Sequence, residues 1–294
     1  MDLASLSPLT GGWSGETFLA DMAGERSVVR IYARPSHRGD AAHEVDAALL
    51  RLVRGLVPVP DVLEVRRADA ASGLPALLVT SFVAGARGDE LFPTLDAAGL
   101  ARVGARLGDL LADLAGMPML RPGPFVDGDL TIGSFGAIDG LPAFVELHRD
   151  RLTGFSRDDL AGLRTVAVDA QALLDTVTRS CLVHSDLNPK NLLLDPDTLE
   201  VTAVLDWEYA HAGHPYADLG NLLRSERDEA FVDAVLSAYA SRRGGDPASV
   251  LAMGRAADLW ALIDLAARAG ENPVADRAHD RLLAIARTGD TSAH

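Results

Sequence analysis

An α+β architecture of two unequal lobes is what the sequence predicts. Short strands around one helix fill the chain up to Val83, and long helical stretches follow Gly85. Between two short apolar strands of the second part lies a compact run of polar residues, His184 to Asn191, the third observation that points to this arrangement.

The elements follow in chain order. Glu16 to Asp21 and Ser27 to Tyr32 are rich in strand formers and are joined by Met22-Ala23-Gly24-Glu25, a turn-like link, so they read as a hairpin. Ala41 to Val53 places Val45, Ala48, Leu49, Leu52 and Val53 at the helical period. Pro58-Val59-Pro60 stops that helix, because proline lacks the backbone donor a helix needs. Val62 to Val65 and Leu77 to Val83, bounded by Pro and Gly, read as further strands. Periodicity then predicts helices over 95–114, 171–178, 228–240, 248–267 and 273–287, interrupted by short strands over 181–183, 192–194 and 202–205. Pro118 to Gly140 reads as a long loop, and Gly289 to His294 as a frayed tail.

Composition excludes some functions. A net charge of −15 over 294 residues argues against nucleic acid, which is met by basic surfaces. No run approaches the ~18 apolar residues of a membrane span. Met1 to Gly12 lacks the basic start and apolar stretch of a signal peptide, and Cys181 stands alone, so the expected compartment is the cytoplasm. Lys190 is the one lysine.

His184-Ser185-Asp186-Leu187-Asn188-Pro189-Lys190-Asn191 is followed, after a strand, by Val204-Leu205-Asp206-Trp207-Glu208. Phosphoryl transfer needs a carboxylate near the attacking hydroxyl and hard oxygen ligands that hold Mg²⁺ on the phosphates. Asp186, Asn191 and Asp206 offer these parts in that order.

With Leu182-Val183-His184-Ser185-Asp186, Leu205-Asp206-Trp207-Glu208 and Gly213-His214-Pro215-Tyr216-Ala217-Asp218-Leu219-Gly220, the chain resembles the aminoglycoside phosphotransferase family of the protein-kinase-like superfamily. The resemblance covers most of the chain and implies a two-lobed protein-kinase-like fold. The expected division is a nucleotide-binding lobe over 1–83 and a catalytic and substrate-binding lobe over 84–294. It implies Asp186 as catalytic base, Asn191 and Asp206 as metal ligands, and His184 and Asp218 as structural residues that orient and brace the catalytic loop. Gly11-Gly12-Trp13-Ser14-Gly15 stands where the family has its nucleotide loop, with Ser14 and Gly15 facing phosphate. The family's third strand carries a basic residue that grips the α/β-phosphates and pairs with a helix carboxylate. Here that residue is Arg30, an arginine in place of the usual lysine, with Glu44 preferred over Asp46 as its partner. Ser81 to Val83 is the expected hinge to the adenine edge, and Lys190 is a candidate for a γ-phosphate oxygen.

The implied cofactors are ATP, with GTP open, and Mg²⁺. A short interval from Asp206 to Asp218 leaves no platform for a polypeptide acceptor, so a small molecule is expected. The leading expectation is a cationic antibiotic, an aminoglycoside or a tuberactinomycin-type peptide, and the second is a small metabolite of choline, homoserine or sugar type. Glu208, Asp258, Trp260 and Asp264 are the candidates to hold a cation, Trp260 and Asp264 lying four apart on one helical face. A non-catalytic nucleotide-binding module is disfavoured by the intact Asp186, Asn191 and Asp206 set, and either a monomer or a homodimer is expected.

Overall fold

The computed structural model describes residues 5–9, 16–22, 24–34, 36–225 and 228–293. The expected phosphate loop with Ser14 and Gly15 lies outside the described residues.

The N-terminal part is an antiparallel sheet with a helix against it. Its strands are β1 (Ser5–Pro8), β2 (Glu16–Met22), β3 (Glu25–Tyr32), β4 (Val62–Arg66) and β5 (Ala76–Ser81), and α1 (Ala42–Val53) is the helix. The strand order is β1-β2-β3-β5-β4, with Thr17 opposite Arg30 and Arg30 opposite Leu78. This register centres Arg30 in the sheet. Val45, Leu49 and Val53 of α1 are buried, and they belong to an apolar core that continues into the helical part through Val103, Leu107 and Leu111.

The chain next forms β6 (Ala86–Arg87), a short α2 (Gly88–Leu91), α3 (Ala97–Ala115), β7 (Pro118–Met119), β8 (Gly123–Pro124), α4 (Gly140–His148) and α5 (Arg157–Leu174). Then come β9 (Ser180–Val183), β10 (Leu192–Leu194), β11 (Val201–Val204), β12 (His211–Gly213), α6 (Ala217–Leu222), α7 (Glu229–Arg243), α8 (Pro247–Ala266) and α9 (Pro273–Thr288). Side-chain caps fix the long helices: Asp96, Ser156, Asp228, Asp246 and Asn272 each accept a backbone N–H of the first turn. α3 and α7 approach closely because Gly104 and Gly108 face the carbonyls of Phe231 and Val235, where an added Cβ would come within 2.6 and 2.4 Å.

Several expectations are corrected. The helix expected over 171–178 is the end of α5, which begins at Arg157 and stops at Leu174. Its Ser156/Asp159 capping box is the signal that marks the start. The expected loop from Pro118 to Gly140 contributes β7 and β8 to a sheet of order β7-β9-β12-β8. The tail is not frayed: Arg281 donates to the Thr291 carbonyl at 3.4 Å, and Ala293 packs on the core formed by α5, α8 and α9. Among the described residues, no helix is long and apolar enough to cross a membrane.

Candidate active site

Two small β units carry the polar residues. β9 ends at Val183 and delivers His184 to Asn191 into a loop, and the β10/β11 hairpin delivers Asp206 two residues past Val204. A backbone bond from the Leu205 N–H to the Asn191 carbonyl, 2.8 Å, ties the two together. α2 seals the loop from the other side, Gly88 standing so close to the Pro189 carbonyl that a Cβ there would meet it at 2.6 Å.

The loop is held in an unusual backbone. Ser185 has φ 73°, a left-handed conformation that costs a non-glycine residue about 1 kcal/mol or more. Asp218, buried at the start of α6, compensates by accepting the N–H groups of His184 and Ser185, both at 2.8 Å. Burial pushes the Asp218 carboxyl up, while His184 and these two donors pull it down.

The ring of His184 is fully buried, and its tautomer follows from its neighbours. Nδ1 accepts the Asp186 N–H at 3.2 Å, so Nε2 carries the proton and donates to the Leu205 carbonyl at 2.9 Å. Burial lowers its pKa, the same direction as this neutral tautomer requires. With both nitrogens engaged and the ring edge against Trp207, 4.6 Å between centroids, His184 links the two loops and has no lone pair left for proton transfer.

Asp186 is surrounded by donors. Asn188 reaches Oδ1 at 2.6 Å, Asn191 reaches Oδ2 at 2.9 Å, and the ammonium of Lys190 lies 3.2 Å from Oδ2. Lys190 therefore faces the carboxylate expected to be the base, with half of its side chain exposed. Asn191 uses its amide nitrogen on Asp186, which leaves its side-chain oxygen as a ligand. Asp206 sits at φ 64°, ψ 62° and presents a carboxylate beside Arg30 Nη1 at 3.5 Å. Its pKa is raised to about 6, first by burial and then by Glu208 and Asp186, with Arg30 and Lys190 opposing. A carboxylate so placed gains most from a cation.

Among the described residues no three His, Cys, Asp or Glu side chains gather into an all-protein metal cage. One amide oxygen and one carboxylate nonetheless suit Mg²⁺, which keeps waters and takes phosphate oxygens for its other positions.

The remaining expected residues divide. Arg30 lies in the site, and Glu208 Oε2 is 2.5 Å from its Nη2. Glu44 is not its partner: it points outward to Arg67, and the helix carboxylate within reach of Arg30 is Asp46, at 3.7 Å. The helical turn decides this, because Asp46 is buried with Val45 and Ala47 while Glu44 is on the rim. Ser81 donates its N–H to the Asp61 carbonyl at 2.8 Å, and its hydroxyl accepts the Asp61 N–H at 2.9 Å, so its N–H is already engaged. Val83 follows, partly buried, between β5 and β6.

Asp258 is corrected as a substrate ligand. Its side chain is 1 % exposed and takes both Nε and Nη2 of Arg224, the latter at 2.7 Å. Glu208 is likewise engaged by Arg30. Asp264 keeps a 48 % exposed side chain, paired with Arg268 at 2.8 Å and facing His148 at 3.9 Å. Trp260 packs on Phe144, 4.8 Å between ring centroids. Arg268 and Asp186 both act on the half-exposed Tyr209, whose hydroxyl is raised mainly by burial.

Sequence reasoning missed Arg38 and Tyr32, which bond to Asp46 at 2.5 and 2.7 Å. Arg38 precedes α1 in an irregular segment, where periodicity carries no information. The parity of β3 gave the signal for Tyr32, which lies on the same face as Arg30, two residues on.

Comparison with known proteins bears on the family and the fold. Residues 5–253 match the family described as the phosphotransferase enzyme family, APH. Among solved structures, aminoglycoside phosphotransferase APH(4)-Ia is 19% identical with a TM-score of 0.67, covering 99% of this chain and 94% of its own. A thermostable mutant of it has been solved as a ternary complex with AMP-PNP and hygromycin B. The GDP complex of a mutant aminoglycoside 2'-phosphotransferase-IIIa gives a TM-score of 0.68 at 18% identity, covering 98% and 93% of the two chains. Curated relatives are the rat acyl-CoA dehydrogenase family member 11, 31% identical over 93 residues, and the mouse member 10, 24% identical over 214 residues. These matches cover 26% and 71% of this chain, and 12% and 19% of the relatives' own lengths.

Proposed function

Since the chain belongs to the phosphotransferase enzyme family, we propose that it is a small-molecule kinase that transfers the γ-phosphoryl group of ATP, with GTP the other candidate, to a hydroxyl of a small acceptor. The observation that carries this reading is the Asp186 carboxylate, oriented by Asn188 and Asn191 in a loop pinned by Asp218.

Asp186 takes the proton of the acceptor hydroxyl as its oxygen bonds to the γ-phosphorus, and the bond from phosphorus to the β,γ-bridging oxygen breaks to release the nucleoside diphosphate. Asn191 Oδ1 and Asp206 would hold Mg²⁺, which neutralises phosphate charge when bound. Arg30, beside Asp206, and Lys190, beside Asp186, are the candidates to meet the phosphates.

For the acceptor, the occupied carboxylates favour a small metabolite over a polycationic antibiotic. Asp258 and Glu208 each face an arginine, and Asp264, with an exposed side, is itself paired with Arg268. Carboxylates already paired with arginines suit a compact polar acceptor better than a polycation. The antibiotic reading is supported by the hygromycin B complex of a fold neighbour.

The test is a panel of hydroxyl-bearing metabolites and antibiotics incubated with protein, ATP or GTP and Mg²⁺, read by mass spectrometry for one added phosphoryl group. Phosphorylation that disappears in Asp186→Asn supports the reading. Phosphorylation unchanged in Asp186→Asn overturns it. A polycationic antibiotic as the preferred acceptor overturns the metabolite choice alone.

A further inference from the structure

Asp46 is the carboxylate of α1 that faces Arg30, yet its bonds go mainly elsewhere. Arg38 Nη1 meets its Oδ1 at 2.5 Å and the Tyr32 hydroxyl donates to its Oδ2 at 2.7 Å, while Arg30 Nη1 stands 3.7 Å from Oδ2. Arg30 Nη2 meets Glu208 Oε2 at 2.5 Å.

Arg38 has a second role. Its side chain is 3 % exposed, and Nη2 donates to the carbonyls of Trp207 at 3.1 Å and Ala210 at 2.7 Å. These carbonyls flank the single turn that carries Glu208 and directly follows Asp206. Arg30, Tyr32, Ser36, Arg38, Asp46 and Glu208 close around a cavity of about 10 Å³, room for no more than one water.

We propose that Glu208 is the positioning residue for Arg30, and that Arg38 occupies the helix carboxylate Asp46 in its stead. α1 then acts on the phosphate grip by way of Arg38 and the Trp207–Tyr209 turn. An arginine in β3 makes this arrangement reasonable, because its planar fork spans Asp206 and Glu208 together, which a single ammonium does less well. The proposal deepens the nucleotide-donor reading and rests on it.

The experiment is a pair of double-mutant cycles read by calorimetric titration of ATP, with Mg²⁺ and again in EDTA. One cycle combines Arg30→Ala with Glu208→Gln, the other Arg30→Ala with Asp46→Asn. Glu208→Gln is expected to weaken ATP binding about 5-fold or more in the unaltered background and to add less than about 2-fold once Arg30 is gone, since contacting residues are non-additive. Asp46→Asn is expected to multiply its loss onto that of Arg30→Ala, because it acts through Arg38. Coupling of Arg30 to Glu208 that persists in EDTA supports positioning. Coupling that vanishes without metal assigns Glu208 to the metal and overturns the proposal, as does a larger coupling of Arg30 to Asp46. If Glu208→Gln melts early, Glu208→Asp, which withdraws the charge by one methylene, gives the same cycle. Failure of the unaltered chain to bind either ATP or GTP overturns the donor reading and this one together, whereas intact binding with the wrong coupling overturns this one alone.

Discussion

Asn191 donates its side-chain amide to Asp186 twice, to the backbone carbonyl at 2.9 Å and to Oδ2 at 2.9 Å. One residue therefore orients the expected base while keeping an oxygen for the metal. Asn191→Asp removes both donors and sets a second carboxylate against the first, so turnover should fall by about 10²-fold or more. Steady-state kinetics on the confirmed acceptor measure this, and a rate within a few-fold of the unaltered enzyme would refute it.

Asp186 and Asp206 should separate by what they lose. Asp186→Asn is expected to lower kcat by roughly 10²–10⁴-fold with MgATP affinity nearly unchanged. Asp206→Ala should weaken MgATP binding and leave binding in EDTA much less affected, as expected of a metal ligand. Calorimetry in both conditions checks the contrast.

Two carboxylates of α8 should behave in opposite ways. Asp258→Ala removes a buried carboxylate that accepts both Nε and Nη2 of Arg224 and should cost about 3 kcal/mol or more, a fall in Tm of roughly 10 °C. Asp264→Asn breaks only an exposed i,i+4 pair, and its effect on stability should stay within about 0.5 kcal/mol. Asp264 is the one to alter KM for a cationic acceptor. Thermal melts and acceptor kinetics on the two variants decide the matter.

The buried histidines should lower stability as pH falls from about 6.5, an effect that the raised carboxyls of Asp206 and Asp218 oppose below about pH 6. Burial lowers the pKa of His184, His211 and His214 in the folded chain, each from 6.5. Below that value the unfolded chain takes up protons that the folded chain refuses, so unfolding is favoured as pH falls toward the folded values. Above it both states are neutral, and these groups add no slope. Urea midpoints from pH 8 to pH 6 measure the histidine part, and a midpoint that rises as pH falls through that window would contradict it.

The fold was legible where neighbours in sequence are neighbours in space. The β2/β3 hairpin, α1 and the strands flanking the polar loop follow from period and punctuation, and the spacing of Asp186, Asn191 and Asp206 is local. α4 was hidden because it follows a Gly-rich stretch, and α5 because its apolar positions are thinly spread among Asp, Arg and Thr. Pairings across the fold were less legible. No sequence period tells that Arg38 reaches the Ala210 carbonyl, or that Arg224 covers Asp258, since the partners lie 172 and 34 residues apart. The Glu44 and Asp46 choice turned on two positions of one helix, a difference that burial of the second resolves.

Lys190, whose ammonium lies 3.2 Å from Asp186, is the one lysine of the chain. An amine-directed reagent thus finds a single side-chain target, and finds it next to the residue expected to receive the acceptor's proton. Acylation or reductive methylation of this position would serve as a footprint of the cleft. A nucleotide seated over the loop would shield it, and an acceptor that fills the space in front of Asp186 would shield it further. The extent of labelling, counted on one peptide, would report occupancy by each of these before any phosphorylated product is known.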